Sequence, residues 1–177
     1  MIIIKKNMIL DDALETWQDA LGADFTAYKN HCYRVFNFYA ALIAKTLINI
    51  DKGAIAIAFH DIGIWTHKTF DYLAPSEQLA REYLMAEGHA DWIDEIIAMI
   101  DNHHKVTAYR GDPLVEAMRK ADWIDVSLGL RRFGLDKSFV TSVKAAFPNE
   151  GFHQRLVELS TKHTAANVFH PLPMMKW

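Results

Sequence analysis

The sequence predicts an all-α fold in a single domain. Apolar residues recur at steps of three and four along most of the chain, and helix-capping residues precede several of these stretches. No strand-like alternation extends beyond the first few residues. With 177 residues and 51% apolar content, the chain is long enough for one sizeable core and marginal for two, so one domain over residues 1–177 is expected.

The predicted helices begin with a long amphipathic stretch. Residues 26–48 carry a broad apolar stripe, and residues 51–60 are apolar on every side, which is typical of an enclosed central helix. Asp51 is the expected N-cap of this second helix, and Gly63 is expected to break it. A loop over residues 66–75 and an irregular tail accompany further helices over residues 75–88, 91–103, 112–128, 136–147 and 150–163.

Charge and cysteine content narrow the classes of partner. The net charge is −3 without a long run of either sign, so no basic surface for duplex nucleic acid and no polybasic membrane anchor is expected. No window reaches the roughly 20 apolar residues that a membrane-spanning helix needs. The single cysteine, Cys32, cannot form an intramolecular disulfide, and no secretion signal precedes it, so we expect a cytoplasmic protein with a small-molecule partner.

The C-terminal tail leaves two alternatives open. Prolines at 171 and 173 stand beside Met174, Met175 and Trp177. Such a segment is expected either to fold against the body of the protein or to contact a second subunit, and a homo-oligomer therefore stays open.

One apolar stretch contains two adjacent titratable residues. Residues 54–65, AIAIAFHDIGIW, are apolar at nearly every position except His60 and Asp61. Burying an unpaired polar group costs about 1–3 kcal/mol, and an unpaired charge costs more, so these side chains need partners. Other polar residues interrupt core-like stretches in the same way: His31, His103, His104 and Asp122.

A bound divalent ion would satisfy these buried groups. Imidazole nitrogen and carboxylate oxygen suit zinc, iron, manganese and related ions, and nickel, cobalt and magnesium also stay open. Two histidines and two aspartates form a compact site that leaves positions for water or substrate. Adjacent residues lie about 100° apart on a helix, but at a helix end both His60 and Asp61 can turn toward one ion.

The order of these residues resembles the HD-domain metal-dependent phosphohydrolase superfamily, whose hallmark is H…HD…D. His31 lies in NHCYRVFNFYAALIA, His60 and Asp61 lie in AFHDIG, and Asp122 lies in KADWID. The segment AMIDNHH is similar to the helix before the last motif of that family. The resemblance spans about residues 28–128.

This resemblance implies a compact HD-type helical bundle. Residues 28–128 would form its motif core, followed by C-terminal helices and an irregular tail over residues 129–177. The metal ligands that the resemblance implies are His31, His60, Asp61 and Asp122.

The implied activity is hydrolysis of a phosphomonoester or phosphodiester bond in a small metabolite or nucleotide, by a metal-activated water. Asp61 would both bind the ion and accept a proton from the water, and His104 or His103 would act as general acid or contact the substrate. Lys68 and Lys105 are candidate contacts for an anionic substrate, because each is close in sequence to a site residue.

Departures from characterised branches limit the substrate. Ile64 and Trp65 stand where branches similar to five-prime nucleotidases and guanosine-tetraphosphate hydrolases carry acidic residues. No GYP motif follows His103 and His104, which disfavours the cyclic-dinucleotide phosphodiesterase branch.

Two other classes of function stay open. Some HD-fold proteins resemble myo-inositol oxygenase, in which additional histidines bring a second iron, and His89 and His104 are the histidines to consider for that role. His89 follows Gly88 at a helix junction, where an exposed cap-region residue is the ordinary interpretation. The other class is a non-catalytic module that binds a metal or a small ligand.

Overall fold

The helices of this protein lie close to where the sequence predicts them. A computed structural model describes residues 1–43, 46–167, 169 and 172–177. These residues contain no β-strand, only an isolated bridge between Lys105 and Lys176, and the all-α prediction is confirmed. The helices within them are α1 (Met8–Glu15), α2 (Gln18–Leu21), α3 (Phe25–Leu42), α4 (Leu47–Phe59), α5 (Gly63–Thr66), α6 (Leu73–Ala86), α7 (Ile93–Asn102), α8 (Pro113–Val126), α9 (Lys137–Ala146) and α10 (Phe152–Ala166), with short 3₁₀ turns at Gly22–Asp24 and Ala90–Trp92.

Helices α3, α4, α7 and α8 form the centre of the structure. Helix α3 packs mainly against α8 and α4, and α4 also packs against α1 and α7. Every residue of α3 between His31 and Ala40 is buried, and so is every residue of α4 between Gly53 and Phe59. The polar residues in these two buried stretches therefore need partners inside the protein.

The first long helix is shorter than predicted. Helix α3 ends at Leu42, and Ile43 is extended with φ −102° and ψ 161°. Helix α4 then begins at Leu47, because the side chain of Thr46 accepts a hydrogen bond from the amide of Asn49 and caps the helix. Asp51 lies inside α4, so its predicted capping role is wrong.

Gly63 has a different role from the one that the sequence predicts. Helix α4 already ends at Phe59, and Gly63 is the first residue of α5. A Cβ at Gly63 would lie 2.6 Å from the carbonyl oxygen of Tyr72 and 3.0 Å from Ser76 Oγ. The glycine is therefore needed for the close approach of the start of α6, and the turn that follows α4 does not depend on it.

The remaining predicted helices are confirmed with small shifts at their ends. Helix α8 begins at Pro113, and the Asp112 carboxylate caps it by accepting from the Leu114 amide. Helix α6 begins at Leu73, within the predicted loop, because Pro75 is compatible with the first turn of a helix. Helices α1 and α2 were not predicted, since eight and four residues are too few to show a helical period.

The tail contacts the body of the protein. Met174 is buried, and the Val106 amide donates to the Lys176 carbonyl at 2.7 Å. This confirms the first of the two alternatives for the residues described there, while Pro171 lies outside the described residues and contact with a second subunit stays a prediction. Trp177 is exposed.

Among the described residues, no helix has both the length and the apolar character needed to cross a bilayer.

We predict that Gly53→Ala destabilises the fold. The added Cβ would lie 2.0 Å from Cε1 of Tyr39, a fully buried ring whose hydroxyl donates to the Asn49 carbonyl. Overpacking of this kind costs about 1–3 kcal/mol, whereas alanine in an open helix position gains about 1 kcal/mol over glycine. Urea denaturation should show a lower free energy of unfolding. Relative to Tyr39→Ala alone, the double variant Gly53→Ala/Tyr39→Ala should lose little further stability, because the ring that the methyl group would meet is gone. An unchanged or higher stability of Gly53→Ala would contradict the prediction.

Candidate metal centre

The central helices bring the four predicted ligands to one place. His31 lies in the middle of α3, His60 and Asp61 follow the end of α4, and Asp122 lies in α8. All four side chains are at most 4% exposed. Their convergence depends on the crossing of the consecutive helices α3 and α4 with α8, which is distant in sequence.

The two predicted histidines approach each other closely. His31 Nε2 and His60 Nε2 are 3.0 Å apart. Asp61 Oδ2 lies 3.4 Å from His60 Nε2 and 3.8 Å from His31 Nε2. Asp122 Oδ1 lies 3.7 Å from His31 Nε2 and 3.8 Å from His60 Nε2. The ligand atoms of His31, His60 and Asp122 are close enough together to hold one cation, and Asp61 adjoins them.

A second pair of histidines faces the same carboxylates from the other side. His103 Nε2 lies 3.3 Å from Asp61 Oδ1, and His104 Nδ1 lies 3.4 Å from Asp122 Oδ2. Asp61 and Asp122 thus each present one oxygen to His31 and His60 and the other oxygen toward the second pair. His103 with His60 and Asp61, and His103 with His104 and Asp122, also have spacings suitable for a metal ion.

Backbone carbonyls orient two of these imidazoles. His60 Nδ1 lies 2.7 Å from the Ile57 carbonyl, and His103 Nδ1 lies 2.5 Å from the Ile100 carbonyl. A carbonyl only accepts, so we assign the proton of each ring to Nδ1. The Nε2 lone pair of the neutral His60 imidazole then faces the cluster, the arrangement expected of a metal-ligating histidine. Burial alone would lower the pKa of His103, but the adjacent Asp61 carboxylate raises it above the usual value of a histidine.

His31 is oriented by a buried carboxylate that the sequence analysis missed. Its Nδ1 lies 2.7 Å from Asp125 Oδ2. The Arg34 guanidinium holds Asp125 at both oxygens, with distances of 2.6 and 2.8 Å, and also donates to the Phe147 carbonyl at 3.1 Å. Arg34 follows His31 by three residues and Asp125 follows Asp122 by three, so helical spacing was the signal that could have found both.

The cluster contains more buried polar atoms than protein partners. Among the described residues, Asp61 Oδ1, His103 Nε2 and both carboxylate oxygens of Asp122 are buried without a hydrogen bond. The 3.0 Å separation of His31 Nε2 and His60 Nε2 requires a proton between two rings whose other nitrogens already face acceptors. A divalent cation would satisfy the donor atoms of the group that holds it, either His31, His60 and Asp122 or one of the two groups that include His103, and nitrogen and oxygen donors suit such a cation. The residues therefore fit a metal ion, whose identity they leave open.

Burial determines the charge states around this space. It lowers the pKa of His60 to about 3 and lowers the pKa of His104 well below its usual value, so both imidazoles are neutral near pH 7. It raises the pKa of Asp122 to about 7. A cation would lower the pKa of Asp122 again and favour the ionised carboxylate.

Asp125 stays ionised for a different reason. Its burial alone would raise its pKa, but the hydrogen bonds from His31 and Arg34 hold the pKa below the usual value of an aspartate. The buried Asp125 can therefore keep a negative charge behind His31.

The other candidate residues lie outside the cluster. Lys68 is exposed in the loop after α5, and its φ is +51°. Lys105 donates from its ammonium group to the Trp177 carbonyl. His89 stacks on the Trp92 ring at 4.1 Å and precedes a 3₁₀ turn, which confirms the interpretation as a cap-region residue.

Comparison of the chain with protein-family models, curated proteins and solved structures gives no match.

We predict that the protein binds a divalent metal ion through this cluster. His60→Ala and Asp122→Asn should each lower the metal content of the purified protein, because each removes a donor atom from the space that His31 borders. His89→Ala is the matched control, because it removes a histidine whose ring stacks on Trp92 and lies outside the cluster. Elemental analysis by mass spectrometry measures the content, and circular dichroism checks that each variant is folded. Equal metal content in all four proteins would contradict a site at the cluster.

A second prediction concerns the ion pair behind His31. Arg34→Met leaves the Asp125 carboxylate buried without its guanidinium partner, which should lower the free energy of unfolding by about 3–5 kcal/mol. Arg155→Met is the control, because Arg155 pairs with Asp24 at the surface and such a pair contributes about 0–1 kcal/mol. Chemical denaturation should separate the two variants clearly. Similar losses in both would contradict the assignment of a strong buried pair.

Proposed function

We propose that this protein is a metal-dependent phosphohydrolase that acts on a small phosphorylated metabolite or nucleotide. The observation that supports the proposal best is the pair of carboxylates, Asp61 and Asp122, which lie between two pairs of histidines with buried and unpaired oxygens. The resemblance of the sequence around these residues to the HD-domain superfamily supports the same reaction. Both arguments point to chemistry at a bound cation.

His31, His60, Asp61 and Asp122 would hold the ion. When bound, a divalent ion supplies a Lewis acid that neutralises phosphoryl charge and lowers the pKa of water. Manganese, iron, nickel, zinc, cobalt and magnesium are all compatible with a mixed set of imidazole and carboxylate donors.

The chain itself supplies the groups that move protons. Asp61 presents Oδ2 to His60 and Oδ1 to His103, so it can bind on one side and accept a proton from water on the other. His104 is the most accessible member of the cluster, with 15% of its side chain exposed, and its Nε2 lies 2.7 Å from the Tyr72 hydroxyl. His104 is neutral near pH 7, so it is our candidate for contacting the substrate, and His103, whose pKa the adjacent Asp61 raises, is our candidate for the general acid.

The substrate contacts stay predictions of the same proposal. Lys68 is exposed and follows Asp61 closely in the sequence, and its ammonium group can contact an anionic group. Lys105 would have to leave the Trp177 carbonyl before it could bind a phosphate.

A second candidate function is favoured by the second histidine pair. His103 and His104 are oriented as further ligands, and the two carboxylates can bridge to them. Two irons in this arrangement would support an oxygenase instead of a hydrolase. A non-catalytic module would bind a metal ion through His31, His60, Asp61 and Asp122 without catalysing a reaction.

The deciding experiment is a panel of phosphomonoesters and phosphodiesters, assayed with the metal found in the purified protein and with added manganese or nickel. We expect phosphate or ester release from at least one substrate. We expect His60→Ala and Asp122→Asn to lower the rate by roughly 100-fold or more, because the ion and its activated water are lost together. Colorimetric phosphate detection and chromatography of the products measure the reaction.

His89→Ala serves as the control and should keep the rate of the unmodified protein. Oxygen consumption by the iron-loaded protein, with no phosphate release, would favour the oxygenase. A metal-loaded protein that is inert in both assays would favour the non-catalytic module and overturn the proposed hydrolase.

A further inference from the structure

A groove of about 1200 Å³ opens beside the candidate metal centre. It lies between α5 with the loop after it, residues 20–24, and one face of α10. Helix α5 follows Asp61 almost directly in the chain, so one short segment carries both a candidate ligand and a wall of the groove. The volume is sufficient for a small organic ligand, since binding cavities for such ligands are commonly about 300–1,000 Å³.

Two successive aromatic rings separate the groove from the imidazoles on each of two paths. The Trp65 ring, in the groove wall, lies 4.8 Å from the Tyr28 ring, which in turn lies 6.2 Å from the His60 ring. Phe70, also in the wall, lies 5.9 Å from the Tyr72 ring, whose hydroxyl contacts His104. A ligand in the groove is thus separated from the cluster by these rings.

The lining combines an apolar floor with positive charge. Leu21, Ile64, Phe70 and Leu159 supply apolar surface. Lys68 and Lys162 are exposed at the groove, and neither forms an ion pair with another described residue.

The acidic lining residues do not cancel this charge. Asp24 is already engaged, because it accepts from Trp65 Nε1 at 2.8 Å and from Arg155 Nε at 3.0 Å. Asp71 is the other carboxylate among the described lining residues. With Arg155 and Asp24 paired, the two lysines face one carboxylate, and the groove favours an anion with an apolar body.

We propose that this groove is a second ligand site, separate from the candidate metal centre, for an organic anion that carries an apolar ring system or chain. Lys68 and Lys162 bind the anionic group, and the apolar floor excludes water from the rest of the body.

Titration calorimetry with two sulfonates tests the groove without any hydrolysis. Naphthalene-2-sulfonate carries an apolar ring system with one anionic group, and methanesulfonate carries the same group without the ring. We expect the naphthalene compound to bind the purified protein measurably and methanesulfonate to bind at least tenfold more weakly, because only the first fills the apolar floor.

The variant Lys68→Gln/Lys162→Gln keeps side-chain length and removes both charges, and it should bind naphthalene-2-sulfonate roughly tenfold more weakly. The matched control is Lys5→Gln/Lys6→Gln, which removes two exposed lysines outside the groove lining and should bind like the unmodified protein. Equal binding by both double variants, or equal binding of the two sulfonates, would overturn the inference.

The outcomes separate this inference from the proposed function. Neither sulfonate has a phosphoester bond, so binding can be read even if every phosphoester in the panel is inert. An inert protein that binds naphthalene-2-sulfonate through the two lysines would overturn the hydrolase and keep the groove as an anion site. An active hydrolase whose naphthalene-2-sulfonate binding is insensitive to the two lysines would overturn the groove assignment alone.

Discussion

The structure depends on a buried cluster at its centre that contains more hydrogen-bond acceptor atoms than protons to bridge them. Nitrogens of four imidazoles and the oxygens of two carboxylates lie close together in a buried cluster between α3, α4, α7 and α8. Desolvated acceptors that face one another cost free energy unless a proton or a cation lies between them. His60 and Asp61 follow the end of α4, and His103 and His104 follow the end of α7. A divalent cation is the simplest partner for each group of ligand atoms in this cluster.

The cluster is also coupled to the stability of the fold. Asp125 accepts hydrogen bonds from His31 and Arg34, which both lie in α3. Arg34 also donates to the carbonyl of Phe147, which follows α9. One buried network therefore joins α3, α8 and the segment that leads to α10. Since a buried ion pair is stable only when its remaining hydrogen bonds are formed, the network restricts how the His31 ring can turn. The same contacts therefore orient the His31 ring and hold α3, α8 and the segment before α10 together.

Access to the cluster is limited to one side. His31, His60 and His103 are fully buried, and His104 is the histidine of the cluster with measurable exposure. Tyr72 touches His104 and belongs to the aromatic layer that separates the cluster from the neighbouring groove. Trp65 with Tyr28, and Phe70 with Tyr72, lie between the groove and the histidines. The groove and the cluster are therefore two separate environments.

The sequence by itself determined the helical class, most of the helices, and the four residues that converge on one space. These were predictable because helical periodicity is local, and because a polar residue inside an apolar stripe must find a partner wherever the chain folds. The sequence placed the break between α3 and α4 too late in the chain, and it did not show the short helices α1, α2 and α5 or the roles of Arg34 and Asp125. Only the tertiary structure placed His103 and His104 opposite His31 and His60, because the facing of side chains on different helices depends on how those helices cross. Periodicity along one helix carries no information about that crossing.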